Sequence, residues 1–142
     1  MNKTVVIGGG AWGCALGSAV SEKNITPIIL TSSSDRADEI NNGKSSRFND
    51  SNLKLNLKAG ANPEDILNDA SIIILATEVN RALSFTNVIE KFANKNCTIL
   101  VASKGFGPNG EIIPKVLQEK LQTDKIGVIS GPSFAYEVIK KK

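Results

Sequence analysis

A glycine-rich segment near the N-terminus constrains the fold of this chain more than any other feature. Residues 8–13 read Gly-Gly-Gly-Ala-Trp-Gly and directly follow an apolar run at residues 5–7, which matches the pattern G-x-G-x-x-G between a strand and a helix. In such a turn Gly8 permits the sharp bend, Gly10 lets a pyrophosphate approach the backbone, and Gly13 lets the helix pack close to the strand. A tight turn without a ligand would use the same residues, but the position of the pattern favours dinucleotide binding at a helix N-terminus.

The rest of the chain alternates short apolar runs with segments of helical periodicity. The runs at residues 5–7, 72–75 and 99–101 are continuously apolar and rich in β-branched residues, which is typical of parallel strands covered by helices on both faces. The alternation predicts an α/β fold with a doubly wound, mainly parallel sheet, in a single domain over residues 1–142. We predict strands at residues 4–7, 27–30, 71–76, 98–102 and 126–129, and helices at residues 11–23, 79–93 and 111–121.

Two further segments are predicted from their turn chemistry. Asn62 and Pro63 are typical of a helix start, with Asn62 as the N-cap and Pro63 as the first helical residue. The polar stretch at residues 41–52 has little periodicity and is predicted to be a loop.

Composition and charge exclude several classes of function. The chain has no histidine, so Ser–His–Asp and Cys–His nucleophilic sites are excluded and no metal site is expected. The net charge of +3 equals the charge of the lysines at residues 140–142, so the neutral remainder gives no reason to expect a nucleic-acid partner. Cys14 and Cys97 lack C-x-x-C spacing and are expected to be reduced thiols of a cytoplasmic protein.

The apolar N-terminal stretch is expected to be neither a secretory signal nor a membrane span. Glycines interrupt it at residues 8–10, 13 and 17, and they weaken the helical core that a signal peptide needs. No other segment approaches the ~18 apolar residues of a membrane-spanning helix.

The segment after the second predicted strand bears on which nucleotide is bound. In dinucleotide sites an acidic residue there binds the ribose 2′-hydroxyl of NAD, whereas a nearby arginine accommodates the 2′-phosphate of NADP. Residues 31–36 read Thr-Ser-Ser-Ser-Asp-Arg, so the strand tip carries hydroxyls and no acid. Ser32 and Arg36 therefore favour NADP over NAD. Asp35, as an N-cap or a late ribose ligand, keeps NAD open, and Arg36 is alternatively a solvated helix residue.

Two more motifs follow predicted strands, where ligands gather in open α/β sheets. Residues 102–105 read Ala-Ser-Lys-Gly, and Lys104 is placed to neutralise a substrate phosphate or a developing alkoxide. Residues 130–135 read Ser-Gly-Pro-Ser-Phe-Ala, in which Gly131 and Ser133 offer close backbone and a hydroxyl to a ligand. An exposed loop lysine, and ordinary turn and N-cap chemistry, are the alternatives that involve no ligand.

Taken together, the motifs resemble those of the bacterial glycerol-3-phosphate dehydrogenase family. The matching segments are residues 8–13, 102–105 and 130–138, and they occur in the same order and spacing over essentially the whole chain. The resemblance implies a Rossmann-like NAD(P)-binding domain, with NADP or NAD as cofactor. It also implies an enzyme that interconverts dihydroxyacetone phosphate and sn-glycerol 3-phosphate, a phospholipid precursor, and a homodimer of the full-length protein.

The resemblance also implies roles for individual residues. Lys104 would contact both the nucleotide and the substrate, and Gly131 and Ser133 would hold the substrate. Combined with the glycine pattern and the strand tip, the nucleotide contacts are expected to be Gly8, Gly10, Ala11, Trp12, Gly13, Ser32, Arg36, Lys104 and Ala135.

This sequence departs from the family pattern at three places. Family members often carry Arg or His near the position of Ser32, and they have Val-Pro-Ser where residues 77–79 read Thr-Glu-Val. The family's catalytic lysine belongs to a helical C-terminal domain that these 142 residues do not include. No catalytic residue is therefore expected in this chain. Because ketone reduction needs a proton donor, the chain is expected to bind nucleotide with little or no turnover.

Two alternative functions remain open from the sequence. One is the nucleotide-binding domain of another dehydrogenase with a helical second domain, such as the 6-phosphogluconate type. The other is a nucleotide-binding sensor without catalysis. If a second domain normally covers this one, apolar surface is expected near Phe134 and Val138.

Overall fold

A computed structural model describes residues 3–21, 25–50 and 55–140, and within these ranges the strands form one six-stranded sheet. Every recorded pairing is parallel, and the strand order is β3-β2-β1-β4-β5-β6. The strands are β1 (Lys3–Ile7), β2 (Ile28–Leu30), β3 (Lys58–Gly60), β4 (Ala70–Leu75), β5 (Thr98–Val101) and β6 (Ile126–Val128).

Helices connect the strands and cover both faces of the sheet. They are α1 (Ala11–Ser21), α2 (Ser34–Asn41), α3 (Pro63–Leu67), α4 (Val79–Phe92), α5 (Ile113–Leu121) and α6 (Ala135–Ile139). This is the predicted doubly wound α/β fold, and its strand order is the 3-2-1-4-5-6 order of the Rossmann fold.

Two hydrophobic clusters form the core, one on each face of the sheet. Val5 and Ile7 of β1 point into a cluster with residues of α3, α4 and α5, whereas Val6 points to the opposite face. The second cluster contains Cys14 of α1 and partly buried residues of α6, together with Phe48 from the loop after α2. Because successive side chains of a strand alternate between faces, a stretch buried on both sides is apolar at consecutive positions, as residues 5–7 of β1 and residues 72–75 of β4 are.

The predicted strands and longer helices are confirmed, with boundaries that differ by one or two residues. Asn62 is confirmed as an N-cap, since its side-chain oxygen accepts a 3.1 Å hydrogen bond from Glu64 N. The prediction of Asp35 as an N-cap is wrong: Ser33 caps α2, and its hydroxyl accepts from Arg36 N at 3.3 Å. The predicted end of the first helix, residues 22–23, and the end of the predicted loop, residues 51–52, lie outside the described ranges.

Three short elements were not predicted, namely α2, β3 and α6. Strand β3 has only three residues, all exposed or partly exposed, and exists through its parallel pairing with β2. Among the described residues, no helix combines the length and hydropathy that crossing a bilayer would require.

Strands β2 and β3 lie on one side of β1, and strands β4, β5 and β6 lie on its other side, so the order of the strands reverses between the neighbours β1 and β4. Chain segments leaving the carboxyl ends of these two strands diverge to opposite sides and leave a crevice between them, where ligands of open α/β sheets bind. The glycine-rich segment leaves β1 at this point.

Candidate functional site

The glycine-rich segment forms the sharp turn that the sequence predicted. Gly8 has a φ of +125°, which side-chain-bearing residues rarely adopt, and its N–H donates to Leu30 O at 2.9 Å. A Cβ atom on Gly13 would stand 1.8 Å from the carbonyl oxygen of Gly8. Gly13 therefore lies beneath the turn, where only a hydrogen atom fits between α1 and the end of β1.

The start of α1 faces an open space. The bond from Cys14 N to Gly10 O, 3.0 Å long, is the first of the helix, so the N–H groups that precede it have no helical partner. A Cβ atom on Gly10 would meet nothing within 4 Å. Bare backbone thus borders this space, which is the arrangement that binds anions at helix N-termini.

A cleft of about 670 Å³ crosses the carboxyl ends of the strands, beginning at this turn. Its volume is that of a site for a small molecule or cofactor. The predicted site residues that line it are Gly8, Gly10, Ala11, Trp12, Ser32, Arg36, Lys104, Ser133 and Ala135. Two predicted residues do not line it: Gly13 is buried behind the turn, and Gly131 is exposed outside the cleft.

Trp12 and Lys104 both line the cleft and contact each other. The indole N–H of Trp12 donates to the carbonyl oxygen of Ala102 at 2.9 Å, which fixes the ring beside the end of β5. The Lys104 ammonium lies 5.0 Å from the centre of that ring and donates to Ser133 O at 3.0 Å. Lys104 thus links the segments after β1, β5 and β6.

The segment after β6 is held by local hydrogen bonds. Ser133 N donates to Gly131 O at 3.0 Å, and Phe134 N donates to Glu137 Oε2 at 3.0 Å, which caps the start of α6. The side chain of Phe134 lines the cleft and is 74% exposed, as expected from the sequence. Val138 was also expected near exposed apolar surface, but it is partly buried and packs against the cluster that contains α1.

Arg36 lines the cleft, as expected from the sequence, and is held there by hydrogen bonds. Its side chain is only 12% exposed, so the interpretation as a solvated helix residue is wrong. Its Nε donates to Gly9 O at 2.7 Å and one terminal nitrogen donates to Ser45 Oγ at 2.9 Å, while the other pairs with Glu39. Arg36 borders the cleft, yet its hydrogen bonds tie the glycine turn to α2 and to the loop that follows it.

The charge of this cluster is balanced internally. Hydrogen bonds from Arg36 and from the backbone N–H of Ser46 lower the pKa of Glu39 from 4.5 to about 2. The thiol of Cys14 lies beneath the same turn, 3.8 Å from Gly9 O, and burial raises its pKa. Glu39 is therefore ionised and Cys14 protonated at neutral pH.

Several cleft residues were not predicted from the sequence. Arg47, in the loop after α2, and Glu78 and Arg81, at the start of α4, are exposed and line the cleft. The sequence did show that residues 77–79 depart from the family pattern, and this departure pointed to the segment that contains Glu78. Arg47 belongs to a polar stretch without a motif, so nothing local distinguished it.

Comparisons with known proteins agree with this geometry. The chain matches the family model described as NAD-dependent glycerol-3-phosphate dehydrogenase N-terminus over residues 3–142. It is 31% identical over 147 residues to a glycerol-3-phosphate dehydrogenase (NAD(P)+) of Macrococcus caseolyticus, covering 99% of this chain and 44% of the relative. For the protein of that name from Neisseria meningitidis, identity is 29% over 143 residues, covering 98% of this chain and 44% of the relative.

A solved structure shows the same fold. The crystal structure of glycerol-3-phosphate dehydrogenase from Coxiella burnetii superimposes with a TM-score of 0.86 at 23% sequence identity, over 98% of this chain and 44% of that one. The chain thus spans less than half the length of the relatives it matches.

Proposed function

Because the chain belongs to the NAD-dependent glycerol-3-phosphate dehydrogenase family, as the N-terminal domain, we propose that its cleft binds a nicotinamide dinucleotide. We further propose that the whole protein reduces dihydroxyacetone phosphate to sn-glycerol 3-phosphate, and so supplies phospholipid synthesis. The observation that carries the first part is the glycine turn at the crevice between β1 and β4, with bare backbone at the start of α1.

The residues of the cleft fit the nucleotide. A pyrophosphate needs close approach to backbone N–H groups, and the open space at Gly10 allows it. Ala11 and Trp12 belong to the first turn of α1, and Ser32 lies at the end of β2, where the adenosine ribose is bound in this fold. When bound, the nicotinamide ring exchanges a hydride with the central carbon of the substrate.

The substrate end of the proposed site is the Lys104–Ser133 pair. The Lys104 ammonium is exposed and already touches the segment after β6. A phosphate-bearing substrate placed there would receive a charge-assisted hydrogen bond from Lys104, with the hydroxyl of Ser133 and the backbone of Gly131 as further donors. Gly131 lies outside the cleft, so we place it at the edge of the proposed substrate site.

Reduction of the ketone adds a hydride to its carbon and a proton to its oxygen. We assign no residue of this chain as the proton donor, and we propose that a lysine of a helical C-terminal domain supplies it. That assignment predicts a division of labour in which residues 1–142 bind nucleotide and turn over little substrate. The proposal includes a homodimer of the full-length protein.

NADP is the proposed preferred nucleotide, because the tip of β2 presents hydroxyl groups and no carboxylate. A cytoplasmic location also belongs to the proposal. It is supported by two buried cysteines that are both unpaired, since disulfides are rare in the reducing cytosol.

Calorimetric titration of the chain with NADH and NADPH tests the binding. We expect heat from at least one nucleotide, with quenching of the fluorescence of Trp12, the only tryptophan. Absence of heat and of quenching with both would reject the proposal. The full-length protein is then assayed with dihydroxyacetone phosphate. A protein that binds nucleotide but does not reduce dihydroxyacetone phosphate would instead be a nucleotide-binding sensor without catalysis.

A further inference from the structure

We propose that Arg47 is the cation that receives the 2′-phosphate of NADP, and that Arg36 positions the loop that carries it. The inference rests on the proposed nucleotide binding and specifies which nucleotide the site prefers. It assigns the two arginines beside the tip of β2 to different roles, which the sequence alone could not separate.

The end of β2 is built to accept a phosphate rather than a bare ribose diol. Ser32 and Ser33 are exposed and line the cleft, whereas the hydroxyl of Thr31 turns inward to Ser33 O at 2.8 Å. Asp35, the acid nearest to this tip in sequence, is not among the residues that line the cleft. A carboxylate there would bind the ribose hydroxyls and repel a 2′-phosphate, so its absence favours the charged ligand.

Arg36 cannot serve as the phosphate ligand without dismantling its surroundings. Each nitrogen of its guanidinium has a partner: Gly9 O, Glu39, and Ser45 Oγ. Its charge is matched by an ionised carboxylate, and its side chain is 12% exposed. Swinging it toward a ligand would leave Glu39 unpaired and the turn carbonyl without its donor, which is costly for partly buried groups.

Arg47 has the properties that Arg36 lacks. It is exposed and borders the cleft together with Ser32 and Ser33. Within the described ranges no carboxylate forms an ion pair with its guanidinium. Two other cations, Arg81 and Lys104, also line the cleft. They follow β4 and β5, which lie on the opposite side of β1 from β2.

The loop that carries Arg47 is held in place by Arg36. Ser45 Oγ accepts one hydrogen bond from Arg36 at 2.9 Å and another from Arg47 N at 3.3 Å. Phe48, the residue after Arg47, is 8% exposed and packs into the core. The backbone of Arg47 is therefore fixed on both sides, while its guanidinium remains available for a bidentate contact with phosphate.

The test compares NADPH and NADH, which differ only in the 2′-phosphate, on the wild-type chain and on Arg47→Ala. Loss of a charge-assisted contact should raise the Kd for NADPH about tenfold or more and leave the Kd for NADH within about twofold. Arg47→Lys should retain part of the preference, because lysine still supplies a point charge. Lys44→Ala removes a charge from the same loop outside the cleft and should change neither Kd.

The outcomes separate this inference from the proposed function. If Arg47→Ala leaves the ratio of the two Kd values unchanged, or if wild type binds NADH as tightly as NADPH, the role of Arg47 is wrong while nucleotide binding stands. If wild type binds neither nucleotide, the proposed function itself fails.

Discussion

Lys104 Nζ donates a 3.0 Å hydrogen bond to the carbonyl oxygen of Ser133, which joins the segment after β5 to the segment after β6. The same ammonium lies 5.0 Å from the ring of Trp12, at the start of α1. One cation therefore touches both the proposed nucleotide side and the proposed substrate side of the cleft. Loss of its charge should therefore affect substrate binding and nucleotide binding to different degrees.

Lys104→Met should weaken substrate binding far more than nucleotide binding. The methionine keeps most of the side-chain volume beside Trp12 and removes the positive charge that a substrate phosphate would meet at this point. In the full-length protein we expect KM for dihydroxyacetone phosphate to rise at least tenfold, since charge-assisted hydrogen bonds contribute about 1.5–3 kcal/mol. Lys115→Met, on the exposed face of α5, is the matched control. Equal effects of the two substitutions would contradict the assignment of Lys104.

Gly10→Ala and Gly13→Ala should have opposite consequences. At Gly13 the new methyl group would overlap Gly8 O, 1.8 Å away, so the turn must shift. We expect a loss of about 2 kcal/mol or more in the free energy of unfolding, seen as a lower Tm. At Gly10 the methyl group meets nothing within 4 Å, so Tm should hold while nucleotide affinity falls at least tenfold. Normal affinity of a folded Gly10→Ala variant would show that no diphosphate approaches there.

Arg36→Gln should weaken the binding of NADH and NADPH to a similar degree, unlike Arg47→Ala. Arg36 holds the carbonyl of Gly9 in the turn that both nucleotides share. The substitution also leaves Glu39 without its cation, so the free energy of unfolding should fall by about 1–3 kcal/mol. Titrations are run well below Tm so that the folded protein is compared. A loss confined to NADPH would make Arg36 a phosphate ligand rather than a positioning residue.

The Glu39 carboxylate should make the protein sensitive to acid. Its pKa is about 2 in the folded chain against 4.5 ordinarily, so the unfolded chain binds the extra proton between these values. The stabilisation is then fully present above pH 4.5 and is lost as the pH falls toward 2. Urea unfolding at pH 6, 4 and 3 should show a shallower decline for Glu39→Gln than for wild type. Glu119→Gln, on α5 and outside this cluster, is the control, and parallel curves for wild type and Glu39→Gln would reject this role of Glu39.

Local sequence determined the frame of the site. The sequence pattern assigned Gly8 and Gly13 to steric demands of one turn, and Gly10 to the open space beside it. The continuously apolar runs predicted β1, β4 and β5 because the stretch of a strand that is covered on both faces is apolar at consecutive positions. Lys104 followed from these elements, since parallel strands deliver their carboxyl ends to one edge.

Only the tertiary structure decided where the two arginines lie and that Gly131 stands outside the cleft. Arg36 meets Gly9 across 27 positions of sequence and Ser45 across 9, and neither contact leaves a periodic pattern. Arg47 reaches the cleft only because Phe48 is buried and Ser45 is held. The physical reason is the sequence separation of the interacting residues. Steric limits on a turn and the burial of a strand depend on neighbouring residues and leave a pattern in the sequence. The partner of a charged side chain depends on which distant segments the folded sheet brings together.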